Sequence, residues 1–277
     1  VFEWEAGNGY RWAPLAPRQP GEAGFTLMSS IQTGVTFTNR LAQERSITNQ
    51  VYFNGSGVAA GDVDGDGRCD LLFVGLDSPN RLYRNLGGWK FEDITDWAGV
   101  AVTGRDCTGT VLVDLDGDDD LDILVNTIGS GTFLFVNDGS GRFQDRTSES
   151  GLNLNKASMS MALGDIDGDG LPDLYITNYR KRVLRDMPNT RFRVKEVSGE
   201  LKIVQVDGRS TDEPDLQGRY TLRADGTIQE AGETDDFYRN LGGNRFERIP
   251  FDAGAFLDEE GSALPREPTD WGLSVMF

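Results

Sequence analysis

The sequence predicts an all-β fold of repeated four-stranded units, and three observations support this prediction. An aspartate pattern of the form D-x-D-x-D-x-x-x-D occurs three times in the 277-residue chain. Each copy runs directly into a short β-branched and aromatic segment that is typical of a buried strand. A second pair of short strand-like segments, joined by a Gly-rich turn, follows the first two copies. Four short strands in about 50 residues, repeated along the chain, are typical of the blades of a β-propeller.

The aspartate pattern, called the aspartate loop below, begins at Asp62, Asp114 and Asp165, so the starts lie 52 and 51 residues apart. Carboxylates at alternate positions of a tight loop converge, which is unfavourable unless a hard cation lies between them. Oxygen ligands at this density suit Ca²⁺. We expect three calcium sites, each with side-chain ligands from loop positions 1, 3, 5 and 9 and a backbone carbonyl from position 7. The predicted ligands are Asp62, Asp64, Asp66, Arg68 (carbonyl), Asp70, Asp114, Asp116, Asp118, Asp120 (carbonyl), Asp122, Asp165, Asp167, Asp169, Leu171 (carbonyl) and Asp173.

The aspartate loop has two other interpretations. An EF-hand needs a bidentate Glu at position 12 and flanking helices, whereas position 12 is Phe73, Val125 or Ile176 within a strand-like run. The other alternative is a solvated acidic turn without metal, which three copies in one register disfavour. Position 6 is Gly in the first and third loops and Asp119 in the second. We expect positive φ there, and Asp tolerates it better than most residues.

The segments after the loops repeat as well. Asn85 lies 15 residues after Asp70, and Asn137 lies 15 residues after Asp122. A Phe follows six residues after each of Asn85, Asn137 and Asn240, as Phe91, Phe143 and Phe246. We expect these phenylalanines to be buried at equivalent positions between blades, with Leu72, Leu124 and Leu174 in the blade cores.

The pattern G-D-x-D-G-D-G-x-x-D-L, then L-Y-R-N-x-G, then F-x-D-x-T, resembles the FG-GAP/VCBS repeat of calcium-binding propellers, the repeat of integrin α-chain heads. It is most similar to the secreted cartilage acidic protein-like branch found in bacteria. The matching stretches are 57–99, 109–151, 160–178 and 235–248, about half of the chain. The resemblance implies a propeller with calcium between the first two strands of each blade. It implies little about chemistry, because one fold serves many functions.

The predicted organisation has five parts. These are an extended lead with first strands at 1–50, blade 1 at 51–104, blade 2 at 105–156, blade 3 at 157–254 with a β-rich insertion at about 180–234, and a linker with the inner strand of a fourth blade at 255–277. The insertion is predicted to contain two hairpins, turning at Ser198-Gly199 and at Asp225-Gly226. It opens with a basic cluster, Arg180 to Arg185. This cluster is either a solvated strand with acidic neighbours or a patch that binds glycan or carboxylate.

Three blades and one strand cannot close a ring, since propellers have about four to eight blades. We therefore expect either the remainder of the same polypeptide or a second chain to complete the propeller. Gly272 to Phe277 should form the inner strand of the fourth blade. Val1 begins an aromatic, Pro-rich lead, as a mature chain would after removal of a signal peptide.

A net charge of −18 excludes nucleic acid and anionic membranes as partners. No run in the sequence is long and apolar enough to insert in a membrane. Calcium sites of this kind suit millimolar calcium, so we expect an extracellular, cell-surface or periplasmic location. Cys69 and Cys107 could pair there, but they should lie near opposite ends of the blades. Two small buried hydrophobic side chains are the preferred interpretation.

The sequence favours a non-catalytic role. It contains no His, P-loop or nucleophile motif, and calcium would hold the loop carboxylates ionised. The first hypothesis is a secreted calcium-binding propeller that acts in adhesion to protein or glycan, or as a subunit of a filament or surface layer. The alternative is the calcium-dependent propeller domain of a polysaccharide-active, lyase-like enzyme. Its only catalytic candidates would be Tyr179, Arg180 and Lys181.

Overall fold

The computed structural model describes residues 5–6, 11–12, 24–152, 155–254, 256–264, 267–269 and 271–275. The elements before the first blade are β1 Glu5–Ala6, β2 Arg11–Trp12, α1 Ser30–Thr33, α2 Gln43–Thr48 and the 3-10 helix η1 Gln50–Asn54. Most of the aromatic, Pro-rich lead lies outside the described residues. Its later part packs on the first blade, where the ring of Phe37 stacks on Phe73 with ring centroids 5.1 Å apart.

Two complete four-stranded antiparallel sheets follow, called blade 1 and blade 2. Blade 1 consists of β3 Val58–Gly61, β4 Asp70–Phe73, β5 Arg81–Gly87 and β6 Lys90–Asp93, with α3 Thr95–Ala98 after it. Blade 2 consists of β7 Cys107–Val113, β8 Asp122–Thr127, β9 Thr132–Asn137 and β10 Phe143–Asp145, with α4 Thr147–Ser150 after it. In both sheets the strands are paired in chain order. Each aspartate loop joins the first strand to the second.

Blade 3 is interrupted by the insertion. Its first two strands are β11 Ser158–Gly164 and β12 Asp173–Asn178. The insertion contains η2 Leu184–Asp186, β13 Phe192–Val197, β14 Glu200–Val206, β15 Arg209–Ser210, β16 Tyr220–Leu222 and β17 Ile228–Glu230. The blade then resumes with β18 Asp236–Asn240 and β19 Phe246–Arg248, followed by η3 Phe251–Ala253. Because β12 pairs directly with β18, the insertion leaves the four-stranded order intact. The predicted all-β fold of four-stranded blades with a β-rich insertion is confirmed.

The blades stack face to face, and their hydrophobic cores lie between them. β8 is buried along its whole length, and its side chains alternate between two clusters. Ile123 and Val125 pack with Leu72 of blade 1, whereas Leu124 packs with Leu174 of blade 3. Alternate side chains of a strand point to opposite faces, so a central blade contributes to both cores.

The predicted core leucines are buried, but one of them lies in a different register. Leu72 pairs with Leu82 and Leu124 with Leu134, while Leu174 pairs with Tyr238 one position nearer the loop. Leu174 therefore faces blade 2, whereas Leu72 and Leu124 face the following blade. The predicted place of all three leucines in the cores is confirmed, although Leu174 lies on the opposite face of its strand from the other two.

The register of the predicted phenylalanines is the same in every blade. Phe91 lies opposite Asn85, Phe143 opposite Asn137 and Phe246 opposite Asn240. Their burial differs, however, because only Phe246 is buried, while Phe91 and Phe143 are half-buried. Phe143 packs against the core shared with blade 1. No blade precedes Phe91 in the described chain, and Gly34 after α1 lies against its backbone instead.

The first strands of the blades lie next to one another around a cavity of about 330 Å³. They approach so closely that a Cβ on Gly109 would lie 2.5 Å from the carbonyl oxygen of Met159. Leu273 lines the same cavity, but residues 271–275 have no strand conformation, contrary to the inner strand predicted there. Met276 and Phe277 lie outside the described residues.

Both predicted hairpins of the insertion are present. Ser198 and Gly199 have φ of 55° and 83° in the β13–β14 turn, and Gly226 has φ of 82° in the β16–β17 turn. The basic segment 180–185 is not a strand, contrary to one of the two interpretations. It contains a bend at 181–182 before η2, and Arg180 donates to backbone carbonyls of the insertion.

Cys69 and Cys107 are both free thiols. Cys107 is buried in the core between blades 1 and 2, as expected for a small hydrophobic residue. Cys69 is exposed at the end of the first aspartate loop, so the prediction of burial was wrong for this residue.

Candidate metal centres

The first Asp of each loop holds the loop backbone in a tight turn. Asp62 accepts hydrogen bonds from the N–H groups of Asp66 and Gly67 at 3.1 and 2.7 Å. Asp114 and Asp165 accept from the equivalent residues of their loops. The three loops therefore share one conformation that the sequence repeat specifies.

Position 6 has positive φ in all three loops, as predicted. Gly67 and Gly170 have φ of 81° and 89°, and Asp119 adopts 68° in the second loop. Residues with a Cβ are strained in this region, although Asp is tolerated better than most. The substitution of Gly by Asp thus leaves the loop geometry intact and adds a carboxylate.

The Asp at position 9 connects its loop to the third strand of the same blade. Asp122 accepts one hydrogen bond from the N–H of Leu115 at 3.2 Å and another from the N–H of Asn137 at 2.9 Å. The same pair of bonds occurs at Asp70 and at Asp173. Because the second donor is the repeated Asn, these bonds explain the fixed 15-residue spacing in the first two units.

The repeated Asn also connects neighbouring blades. The Nδ2 of Asn137 donates to the carbonyl of Val63 in the first loop at 2.9 Å, and that of Asn240 donates to the carbonyl of Leu115 in the second loop at 2.8 Å. The position-2 residue is thereby held at its N–H by its own blade and at its C=O by the next blade. The spacing in the sequence located these asparagines but did not predict this contact. The two bonded residues are 74 positions apart in the chain in one case and 125 positions apart in the other.

Each loop brings three carboxylates together. Oxygen atoms within 4.8 Å of one another come from Asp62, Asp64 and Asp66 in the first loop. In the second loop they come from Asp114, Asp116 and Asp122, and in the third from Asp165, Asp167 and Asp173. Of the predicted side-chain ligands, Asp70, Asp118 and Asp169 lie outside these groups. The three clusters could hold metal ions.

The second cluster contains polar atoms that lack partners. Asp116 Oδ1 is buried without a hydrogen bond, and so is the Oδ1 of Asn244, which reaches the loop from blade 3. The Nδ2 of Asn244 donates to the other oxygen of Asp116 at 3.1 Å. A buried oxygen without a partner is costly, and a cation would satisfy it. The residues of this loop therefore fit a hard divalent ion such as Ca²⁺.

Among the described residues, positive side chains pair with the first and third loops but not with the second. Arg239 lies 3.2 Å from Asp167, and Arg84 lies 4.0 Å from Asp64, each from the third strand of the same blade. The equivalent residue of blade 2 is Val136. The second loop contains six Asp residues, so of the three loops it has the greatest excess of negative charge.

Burial and mutual repulsion raise the pKa of several loop carboxyls above their usual range. Burial raises the pKa of Asp122 to about 7, although two backbone N–H groups oppose the shift. Burial also raises the pKa of Asp64 and of Asp116, with further contributions from neighbouring loop carboxylates. Such shifts mark carboxylates whose charge is not compensated.

The remaining candidate residues do not form one site. Tyr179 lines a cavity with Gln50 and Trp271, whereas Arg180 and Lys181 line a different one. Burial raises the pKa of Tyr179, which makes it a poorer base at neutral pH. Within the described part of the chain, no helix has the length and apolar character needed to cross a membrane.

The described chain thus combines stacked four-stranded blades with an aspartate loop between the first two strands of each blade. A profile of the FG-GAP-like repeat matches residues 62–125 and 114–176. The chain is also similar to cartilage acidic protein 1 of Xenopus tropicalis, with 23% identity over 194 residues, and of Homo sapiens, with 24% identity over 194 residues. Each alignment covers 69% of this chain and 29% of the relative. The mouse protein is 24% identical over 225 residues, covering 69% of this chain and 34% of that relative. The alignments thus span about a third of the relatives' length.

Proposed function

We propose that this chain is a calcium-binding β-propeller module that works outside the cell without catalysis, in adhesion or as a subunit of an extracellular assembly such as a filament or surface layer. The observation that carries the proposal is the threefold convergence of carboxylate oxygens within 4.8 Å in loops of one conformation. The similarity to a protein named cartilage acidic protein 1 supports an extracellular role.

Calcium would neutralise the converging carboxylates and be held by the aspartates at loop positions 1 and 3, with those at positions 5 and 9 and the position-7 carbonyl completing the predicted set. Residues of the chain itself hold each loop in position. The position-1 Asp accepts N–H groups within the loop, and the position-9 Asp accepts an N–H of the third strand. The Asn of the next blade donates to the carbonyl of the position-2 residue. Rigid blades with exposed connecting segments then present surfaces for binding.

A further blade, from the same polypeptide or a second chain, completes the ring in this proposal. The exposure of the position-2 side chains supports this. Val63 and Leu115 are 2% and 0% exposed because the next blade covers them, whereas the equivalent Ile166 of blade 3 is 56% exposed. No described side chain donates to the Ile166 carbonyl as Asn137 and Asn240 do to its equivalents.

Calorimetric titration of the metal-free protein tests the calcium sites. We expect three calcium ions to bind and magnesium to bind far more weakly, because Mg²⁺ demands a smaller octahedral shell. Absence of calcium binding at millimolar concentration would contradict the proposal. Light scattering on the native protein in calcium then separates a monomeric adhesion module from an assembling subunit.

The lyase-like alternative receives no specific support from the geometry. Its three candidate residues line two separate cavities. Incubation with an acidic polysaccharide, followed by the ultraviolet absorbance of the unsaturated product, would reveal such an activity if it existed.

A further inference from the structure

A cavity of about 610 Å³ lies where the end of β12 meets the insertion, and its lining includes three consecutive basic residues, Arg180, Lys181 and Arg182. Gly218 and Arg219 before β16 and the segment 231–234 after β17 form other parts of its wall. Cavities of this size commonly hold small ligands. The aspartate loops contribute no residue to this lining, so the cavity is separate from the candidate metal centres.

Arg180 is a fixed guanidinium without a carboxylate partner. Its Nε donates to the carbonyl of Ala231 at 2.6 Å and its Nη2 to that of Gly232 at 2.8 Å. Within the described chain it forms no ion pair, and its Nη1 has no hydrogen-bond acceptor. Burial and the nearby Arg219 charge hold the pKa of Arg180 below its usual range, although the Glu233 and Glu230 charges oppose the shift, so an anion beside it would relieve an unfavourable charge.

The two following residues also form no ion pair with described residues. Lys181 Nζ donates only to the amide oxygen of Asn155, at 3.1 Å, and the Arg182 side chain has no ion pair or hydrogen bond to described residues. Arg219, in contrast, is paired with Glu230 at 2.7 Å. Three unpaired cations on one cavity are unexpected in a chain of net charge −18, because acidic side chains are abundant.

The other lining groups favour a hydroxylated ligand with a single negative charge. Asp215 and Glu233 lie in the lining, but Asp215 is paired with Arg209 and Glu233 accepts the N–H of Ala157. These carboxylates would oppose a dianion such as phosphate, yet their free lone pairs can accept hydrogen bonds from hydroxyl groups. The side chains of Asn155 and Gln217 add further polar partners.

We propose that this cavity binds the carboxylate of an acidic sugar, with Arg180, Lys181 and Arg182 around the carboxylate and the polar wall on the sugar hydroxyls. Guanidinium groups match the geometry of carboxylates, and the volume accommodates about two sugar residues. The inference deepens the proposed binding role by naming a ligand class, and it does not depend on the metal sites.

Calorimetry with an aldobiuronate, a disaccharide that carries one carboxylate, in a fixed calcium concentration tests the inference. We expect binding that weakens with added salt, and at least tenfold weaker binding by the double variant K181Q/R182Q, whose side chains hold little of the fold. The matched control K195Q/K202Q removes the same charge from exposed strands of the insertion and should bind like the unaltered protein. Circular dichroism of each variant checks its folding.

Three results would overturn the inference. The first is no binding of the aldobiuronate at millimolar concentration, and the second is equal binding by the cavity double variant. The third is equal or tighter binding of neutral maltose or of an acidic tripeptide, which would show that the cavity does not select an acidic sugar. Because calcium binding is measured separately with the metal alone, failure here is distinguishable from failure of the proposed calcium role.

Discussion

The side-chain amide of Asn137 in blade 2 donates a 2.9 Å hydrogen bond to the backbone carbonyl of Val63 in the first aspartate loop. The N–H of Val63 is bound in turn by Asp70 at 3.0 Å. The backbone of one residue in a candidate metal loop is thus bonded by two blades at once. Asn240 and Leu115 repeat the relationship between blades 2 and 3.

Replacing Asn137 with Ala should therefore destabilise the fold and weaken calcium at the first loop. The loss of a buried hydrogen bond that leaves a carbonyl unpaired costs about 1–3 kcal/mol. Asn85→Ala is the matched control, because the Nδ2 of Asn85 donates only to the carbonyl of Cys69, in its own blade. Urea unfolding in saturating calcium measures the stability, and calorimetry measures the calcium affinity. Equal effects of the two substitutions on the first site would argue against coupling between blades.

Removing a single loop carboxylate should remove one calcium ion. Asp64→Ala and Asp167→Ala each delete a member of a converging cluster, so the bound calcium should fall from three ions to two. Asp119→Gly is the control, because Asp119 lies outside the cluster and the other loops have Gly there. Elemental analysis after equilibrium dialysis counts the ions. Loss of an ion from the Asp119 variant would show that the ligand assignment is wrong.

Chelation of calcium should lower the melting temperature of the whole blade array. A ligand that binds only the native state stabilises it by about 2.7 kcal/mol per site at a hundredfold excess over Kd. Scanning calorimetry with and without chelator measures the change. An unchanged melting temperature would mean that the loops are stable as acidic turns without metal.

The second loop should bind calcium most tightly, because no Arg of its own blade faces it. Val136→Arg would place there the cation that Arg84 and Arg239 provide in the other blades. A positive charge beside the site should weaken its calcium affinity about tenfold or less, by repulsion between the Arg and the ion. Terbium luminescence or calorimetry measures the change. An affinity unaffected by Val136→Arg, with Val136→Gln as the uncharged control, would refute the charge argument.

Asp235 should make stability depend on pH. Burial raises the pKa of Asp235 to about 6, above its value of about 3.9 in the unfolded chain. The native state therefore binds this proton more tightly, and the stability contribution is present at low pH and is lost as pH rises through about 4 to 6. Asp235→Asn keeps an acceptor for the N–H of Asn178 but cannot ionise.

Relative to the unaltered protein, Asp235→Asn should gain stability as pH increases across this window. The gain should be about 1–2 kcal/mol after solvent screening of this partly exposed carboxyl. Urea unfolding at pH 4.5 to 7.5 in saturating calcium measures the difference in stability. The contributions of the other titrating groups are the same in both proteins and cancel in this difference. A difference that does not change with pH would contradict the raised pKa.

The sequence alone determined the repeat, the loops and the strand order, because these features depend on local spacing. Alternate aspartates define a loop, β-branched runs define strands, and Asn-x-Gly defines the turn after the third strand, where the Asn side chain accepts the N–H of the Gly. Positive φ at Asp119 followed from its alignment with Gly67 and Gly170.

Only the tertiary structure decided how the units act on one another. The bond from Asn137 to Val63, the burial of Leu174 on the opposite face from Leu72, and the approach of Asn244 to Asp116 all join different blades. The inward turn of Arg180 likewise depends on carbonyls 51 and 52 residues away. Spacing within a repeat carries no information about which face or neighbour a side chain meets, because those contacts arise only when separate segments pack.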